Sequence, residues 1–373
     1  MGAVTLDGPT ISAEALPLIA DAFGASHIDA PRAFDACGLG REAARAPCPD
    51  AIPLAQFARL MQCAGDADDD HARLWLSGRA IAGPSLTHLF PAAGAERRLG
   101  TLLSRLIAEL DALQHGSDFR LCVEGDLCTL AYRIVDPRIW PRSRDAEFTL
   151  GFFDAIVRQA AGSHDFLEAV AFEHRRDARG DVDRLTHVPA IFEEQVNLIA
   201  FPAGLLDRPV DGGAWRAPGR PDALPARPPE MTTTAPPRAT EAEPGPAGCG
   251  DAPAPDDRTA EASRADTAPP DVATALYRRI GRGPVSQQQI ARDCGLSDRS
   301  LRRHLRDKGL SFRALAEAAR IDYAEWALEA TDLPLAEIAF RAGYADQSAF
   351  SRAFRRRTGM APRQRRLLRI SRR

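Results

Sequence analysis

Between residues 298 and 357 the chain sets out two groups of side chains able to donate hydrogen bonds both to an anionic polymer and to the edges of its bases. The first group is Arg299, Ser300, Arg302, Arg303 and Arg306; the second is Gln347, Ser348, Ser351, Arg352, Arg355 and Arg356. Arginine presents a planar fork of donors that can chelate the O6 and N7 of guanine or grip the oxygens of a phosphate. More than half of protein–DNA hydrogen bonds go to phosphate or sugar, so only part of this set can read sequence. The expectation is that Arg299, Arg302 and Arg303, with Gln347, Ser351 and Arg355, approach bases, while Arg306, Arg352 and Arg356 meet phosphate. A run of charge is ordinarily a solvated helix face, and what lifts these arginines above that reading is the pair of units that carries them.

Each group sits on the second helix of a short helical pair, and the pair is written twice. In the first copy, Gln288-Gln289-Ile290-Ala291 opens a helix that the Cys294-Gly295-Leu296 corner stops, and Ser297 offers a side-chain oxygen to start the next one. Leu301 and Leu305, one turn apart, give that next helix a narrow apolar back. In the second copy, Leu335 to Ala339 leads to an Ala342-Gly343-Tyr344 corner, Asp346 stands at the capping position, and Phe350 and Phe354 form the apolar pair. Two helices joined by a tight glycine-containing turn, the second apolar on one side and arginine-rich elsewhere, are what a helix-turn-helix reader of the major groove requires. Between the copies, Ser311 to Ala330 has apolar residues at helical spacing and no proline. Such a helix would be about 30 Å long, close to the roughly 34 Å between major-groove faces on one side of B-DNA. One rigid rod could then hold two reading heads on adjacent turns.

These residues resemble the AraC/XylS family of transcription regulators over the whole of about Leu276 to Arg366. The resemblance is carried by Ile290-Ala291 with Gly295-Leu296-Ser297, by Ser300-Leu301-Arg302-Arg303, and by Gly309 with Ser311-Phe312. It continues through Arg320 and Ala324, Glu337-Ile338-Ala339, Gly343-Tyr344, Ser348 to Phe354, and Gly359 with Ala361-Pro362. Tyr344 stands where many relatives carry phenylalanine. The resemblance implies a bipartite DNA-binding domain whose two reading helices, near Asp298 to Lys308 and near Gln347 to Arg357, enter neighbouring major-groove segments of promoter DNA.

Charge is distributed in keeping with that. The 373-residue chain has a net charge of only -3, but from Asp271 onward there are about 22 basic and about 11 acidic side chains. That end is near +11 and the remainder near -14. Lys308 is the only lysine, so arginine richness is partly a matter of usage and position counts for more than number. The seven cysteines and eight histidines show no metal-ligand spacing, and an odd, scattered cysteine set argues against a disulfide framework. No metal or cofactor is expected. With no charged-then-apolar leader and no apolar run long enough to span a bilayer, the expected compartment is the cytoplasm, away from any membrane.

The first 206 residues read as a mixed, mainly helical domain. Helices are predicted at Ser12 to Phe23, Leu54 to Ala64, Gly100 to Leu113 and Glu147 to Gln159. A hairpin is predicted from Phe119 to Val135 around Glu124-Gly125-Asp126, a strand at Glu168 to Glu173, and a last apolar element at Gln195 to Phe201. This order resembles the ligand-sensing amino-terminal domain of one AraC-type subfamily, the arabinose-binding type. It departs from it at Leu76 to Phe90 and Gly162 to Leu167, and lacks the many short strands of a cupin-like barrel, so an arabinose-type pocket is not expected. Residues 207–270, rich in Pro, Ala and Gly, bury too little apolar area to offset their ordering entropy and read as a disordered linker. Such a linker leaves the two domains free to move independently, so coupling would require their direct docking or dimerisation. Ser163-His164-Asp165 holds the residue types of a hydrolase triad, but neighbours in sequence point apart and no nucleophile elbow surrounds the serine. Trp326 reads as packing, Glu173-His174 as a strand end, and Cys294 as a small buried side chain.

The fold class expected is thus mainly α: an α+β sensor-like domain over 1–206, the linker, and an all-α double helix-turn-helix domain over 271–373. The expected function is sequence-specific transcription regulation, responsive to a small-molecule effector, and not enzymatic. RNA polymerase and a second copy of the chain are further candidate partners. The alternatives are a constitutive DNA binder whose first domain only dimerises, and an enzymatic first domain tethered to DNA.

Overall fold

Two stretches of apolar periodicity collapse into two hydrophobic cores, one drawn from residues 11–210, the other from residues 272–354 together with Val135. The structure is a computed structural model describing residues 8–44, 51–66, 72–163, 165–176, 182–210, 272–280 and 285–371. The linker from residue 211 on, His164, Cys48 and Cys249 lie outside the described residues.

The first lobe begins with a strand, β1 (Thr10–Ser12), paired antiparallel with β2 (Ala51–Pro53), and the helices α1 (Leu16–Ala25) and α2 (Ala30–Ala36). The helix expected from Ser12 starts later than the sequence pattern suggests. Ile11 is spent on the strand pair, a short 3-10 turn follows, and Pro17 in the first turn of α1 sets its beginning. Next come α3 (Leu54–Asp66), α4 (Ala72–His88), α5 (Pro91–Gly94), α6 (Leu99–Leu113), the hairpin β3 (Ser117–Glu124) and β4 (Leu127–Ile134), and α7 (Ser143–Ala161). The lobe closes with β5 (Ala169–Phe172), α8 (Asp183–Thr186), β6 (Ala190–Phe192) and β7 (Asn197–Pro202). Five strands form one sheet in the order β3-β4-β7-β5-β6, antiparallel except for β5 with β6. The hairpin register pairs Glu124 with Leu127 across Gly125, whose φ of 58° lies in the left-handed region.

Helix α4 is the element that sequence periodicity does not reveal. Gly78, Gly83 and Pro84 read as breakers, yet 17 residues run as one helix. A Cβ on Gly78 would clash with the Phe148 carbonyl, and one on Gly151 would clash with that of Trp75. The glycines are there so that α4 and α7 can cross backbone to backbone. Asp154, fully buried on α7, ties the crossing by accepting from Trp75 Nε1 at 2.9 Å, Arg79 Nε at 2.5 Å and Arg158 Nη2 at 3.2 Å. The chain stays bonded to this lobe through its last described residue, where Val210 N donates to Arg97 O at 2.9 Å.

The second lobe is all helical: α9 (Val272–Arg279), α10 (Gln287–Asp293), α11 (Asp298–Asp307), α12 (Phe312–Ala330), α13 (Leu335–Arg341), α14 (Gln347–Thr358) and α15 (Pro362–Ser371). Its core gathers Ile290, Leu301 and Leu305 from the first helical pair and Ile338, Phe350 and Phe354 from the second, around Ala324, Ala327 and Leu328 of α12. No helix among the described residues is long and apolar enough to cross a membrane.

Candidate nucleic-acid interface

The first candidate reading helix, α11, is fixed at its start and along its back. Its partner α10 carries a capping box, Ser286 Oγ accepting from Gln289 N at 3.2 Å and Gln289 Oε1 from Ser286 N at 3.1 Å. The corner between them passes through Gly295 at φ 64°. Ser297 then caps α11, its Oγ accepting from Ser300 N at 3.1 Å. With Leu301 and Leu305 buried, Arg299, Arg302, Arg303 and Arg306 all stand exposed. They differ in what holds them. Arg302 pairs with Asp298 at 2.7 Å, whereas Arg299, Arg303 and Arg306 have no side-chain partner among the described residues. The Ser300 hydroxyl lies 2.9 Å from Ser297 Oγ and is engaged within the cap.

The second reading helix repeats the construction. Gly343, at φ 83°, turns the corner, and Asp346 Oδ1 accepts from Ala349 N at 2.7 Å. Phe350 and Phe354, both fully buried, lie 5.6 Å apart between ring centroids, and Tyr344 packs 5.5 Å from Phe350. Gln347, Ser348, Arg352 and Arg355 are exposed, and Ser351 donates its hydroxyl to Gln347 O at 2.8 Å. Arg356, on the same helix, forms an ion pair with Glu317 of α12.

What holds the two heads apart is α12, unbroken for 19 residues and started by Ser311, whose Oγ accepts from Ala314 N at 3.2 Å. Its length is roughly 28 Å at 1.5 Å per residue. Arg320 reaches from its middle over the Tyr344 ring, 5.9 Å from the centroid, and so braces the corner of the second unit. Neither reading helix makes a hydrogen bond or ion pair with the first lobe among the described residues.

The first lobe does touch the rest of the second, and here sequence reasoning missed residues. Trp326, near the end of α12, is buried as expected, but its neighbours come from both lobes: Tyr323 at 5.4 Å, Trp140 at 6.5 Å, and the Arg142 guanidinium 5.1 Å from its ring. Arg142 is itself locked by Glu173, with Nε to Oε1 at 2.7 Å and Nη2 to Oε2 at 3.1 Å, both side chains almost wholly buried. Glu173 is thus half of an interior ion pair, which its position at a strand end does not disclose. Arg133 Nη2 donates to Tyr277 O at 2.6 Å and Arg175 N to Ala330 O at 3.2 Å. Glu193 accepts from Asp332 N through its side chain and from Arg341 through its carbonyl at 3.2 Å. Direct docking of the lobes is therefore present, whatever the linker does.

Behind this contact, Tyr132 donates to Asp145 Oδ2 at 2.5 Å, and Gln114 Nε2 bonds Ser117 Oγ at 2.5 Å and Tyr132 Oη at 3.3 Å. Burial pushes the Asp145 carboxyl up to about 7, against the downward pull of Tyr132 and Arg142. Of the three triad residue types, Asp165 lies 3.8 Å from His187 Nδ1, both exposed, and Ser163 is exposed as well. Cys294 is half-buried against the second core.

Two helix-turn-helix units mounted on one rod, beside an α+β lobe, define a double-headed DNA-binding protein. Comparison with known families narrows that class. A helix-turn-helix domain model matches residues 290–367, and the model described as the arabinose-binding domain of AraC transcription regulators, N-terminal, matches residues 28–210. The chain belongs to the AraC/XylS family of transcription regulators. Among curated relatives it is 44% identical over 75 residues to the ornithine utilization regulator of Pseudomonas aeruginosa, covering 20% of this chain and 22% of that protein. It is 37% identical over 91 residues to an uncharacterized HTH-type transcriptional regulator of Mycobacterium bovis, covering 24% and 26%. The matched stretches thus span about a quarter or less of those relatives. The crystal structure of the transcriptional regulator CdpR from Pseudomonas aeruginosa is 19% identical, covers 79% of this chain and 87% of its own, and superposes with a TM-score of 0.28, too low to establish shared geometry.

Proposed function

We propose that the chain is a sequence-specific transcription regulator that binds double-stranded promoter DNA through α11 and α14 and responds to a small-molecule effector held by its first lobe. In this reading residues 1–206 sense and dimerise, 207–270 link, and 271–373 read DNA. The observation that carries it is the mounting of two capped, arginine-bearing helices on one unbroken rod, with both outer faces clear of the first lobe. Arg299, Arg303, Arg306, Arg352 and Arg355 are available as they stand, and Arg302 and Arg356 become so by exchanging a carboxylate for DNA. The protein works in the cytoplasm, contacts RNA polymerase at its promoters, and performs no catalysis. The docked lobes favour an effector-responsive regulator over a constitutive one, because a ligand that prefers one arrangement of the lobes has something to shift. The word arabinose in the family description names no effector for this chain, whose sensing lobe is an open five-stranded sheet packed with helices.

Selection of binding sites from random DNA tests the proposal. It should return two half-sites about one helical turn apart. Replacing both Arg302 and Arg355 by alanine should relax the preference at particular base pairs, by about 1–3 kcal/mol for each bidentate contact. A selected sequence with a single half-site, or a footprint indifferent to both substitutions, would overturn it.

A further inference from the structure

We infer that the cleft between the two lobes is a binding site for a small organic carboxylate, and that its occupation reinforces the docked arrangement of the lobes. The inference rests on the effector-responsive reading above and supplies the chemical class of the effector.

The cleft has a volume of about 680 Å³, within the range of sites that take small molecules, which favour domain interfaces. Its first-lobe wall is basic, with Arg144, Arg175 and Arg176 beside His174 and Trp140; its second-lobe wall holds Glu329, Asp332 and Arg369. Most of these charges are already matched. Arg144 pairs with Glu147 at 2.6 Å, Arg176 with Asp183 at 2.9 Å, Glu329 with Arg365 at 2.5 Å, and Arg369 with Asp332. Arg175 is the exception. Its guanidinium reaches only the Glu329 carbonyl, at a long 3.4 Å, and no carboxylate pairs with it among the described residues. Arg369 adds a second unmet donor, because its Nε is buried with no acceptor among the described residues while Nη1 is held by Thr331 O at 2.7 Å. A half-buried cation and a buried N–H without a partner, lining one cavity, call for an anionic oxygen acceptor. Asp66, which with Gln62 lines the α3 side of the cleft, sets the limit on charge. A compact carboxylate can avoid it, whereas a polyphosphate would face Asp66, Glu329 and Asp332 together.

The site differs from a pocket inside either core in one respect that matters for regulation. It is walled by both lobes, and on the second-lobe side by the last turn of α12, so it exists only while the lobes are docked. A ligand bound there must favour that state by the factor 1 + [L]/Kd, about a hundredfold at a hundred times Kd. The rod that sets the distance between the two reading heads is then held at one end by the ligand.

The test uses the full-length chain, with succinate, lactate and glutamate as carboxylate probes and inorganic phosphate and glucose as controls, read by thermal shift and calorimetry. At least one carboxylate should raise the melting temperature and bind with one-to-one stoichiometry, while the controls do neither. Arg175→Gln should weaken that carboxylate by about tenfold or more, the scale of a lost charged hydrogen bond, and Arg175→Lys should restore part of it. Asp66→Asn, which removes a repelling charge and no contact between lobes, should strengthen it several-fold. A general loss of folding cannot produce these opposite signs. Failure of all three carboxylates, equal effects from phosphate or glucose, or weaker binding in Asp66→Asn would overturn the inference. DNA binding measured on the same samples keeps the two proposals apart. Intact half-site selection with no carboxylate effect refutes only the cleft, and carboxylate binding without half-site selection refutes only the regulator.

Discussion

The salt bridge between Arg356 of α14 and Glu317 of α12 makes the proposed DNA interface quantitatively testable. Of the seven arginines on α11 and α14 assigned to DNA, five have no hydrogen-bond or ion-pair partner among the described residues: Arg299, Arg303, Arg306, Arg352 and Arg355. If each displaces one condensed counterion, whether it lies on phosphate or beside a base edge, log K should fall with log salt at a slope of about -4.5, so that affinity drops about 500-fold between 50 and 200 mM salt. The slope would steepen to about -6.3 if Arg302 and Arg356 both leave their carboxylates. The Arg356–Glu317 pair is open to solvent, with side-chain exposures of 67% and 34%, and such pairs are worth at most about 1 kcal/mol. Glu317→Gln removes that competition. It should tighten DNA binding by up to about fivefold at low salt. Arg356→Ala should cost less in the natural protein than in the Glu317→Gln background, and fluorescence anisotropy on a selected site, titrated with salt across the four-member mutant cycle, measures the difference. The reasoning fails if Arg356→Ala is equally costly in both backgrounds, or if the natural protein's slope is shallower than about -2.

Three further outcomes follow from buried groups and from a cap. Glu173→Gln strands Arg142, whose side chain is 4% exposed, and should cost about 3–5 kcal/mol in urea unfolding followed by tryptophan fluorescence, whereas Arg142→Met with Glu173→Leu should recover most of it. Asp145, with its folded carboxyl raised to about 7 from 3.8, keeps its proton in the folded chain after the unfolded chain has lost it. Its stabilising contribution is therefore complete below about pH 4 and lost as pH rises through about 7, so the stability difference between the natural protein and Asp145→Asn should change across that window and be flat above it. Asp346→Ala removes the acceptor for Ala349 N and should destabilise α14 by about 1 kcal/mol, with weaker DNA binding while α11 is unaffected by circular dichroism and hydrogen exchange.

The parts of the protein that depend on neighbours in sequence could be read without coordinates. The caps at Ser297 and Asp346, the corners at Gly295 and Gly343, the apolar pairs Leu301 with Leu305 and Phe350 with Phe354, and the uninterrupted α12 all follow from spacings of a few residues. At that range backbone geometry leaves little choice. Helix α4 was hidden for the opposite reason. Its Gly78 is meaningful only against the Phe148 carbonyl of α7, seventy residues away, and taken alone it looks like a break. The same holds for α7, which starts at Ser143, four residues before the apolar pattern suggests, because Arg144, Asp145 and Glu147 are buried and matched rather than solvated.

What the linear order of residues determined, then, is two local helix-turn-helix units repeated on a rod, and with it the family. What only the tertiary structure decided is which of their charges are already paired. Whether a charge is free or spent depends on which partner the fold brings to it. Hence Arg302 and Arg356 are held by carboxylates while Arg355 is not, Trp326 lies between two lobes, and Arg175 faces a cleft in which no carboxylate pairs with it among the described residues. Pairing of this kind is set by distance in space, which residue spacing along the chain does not encode.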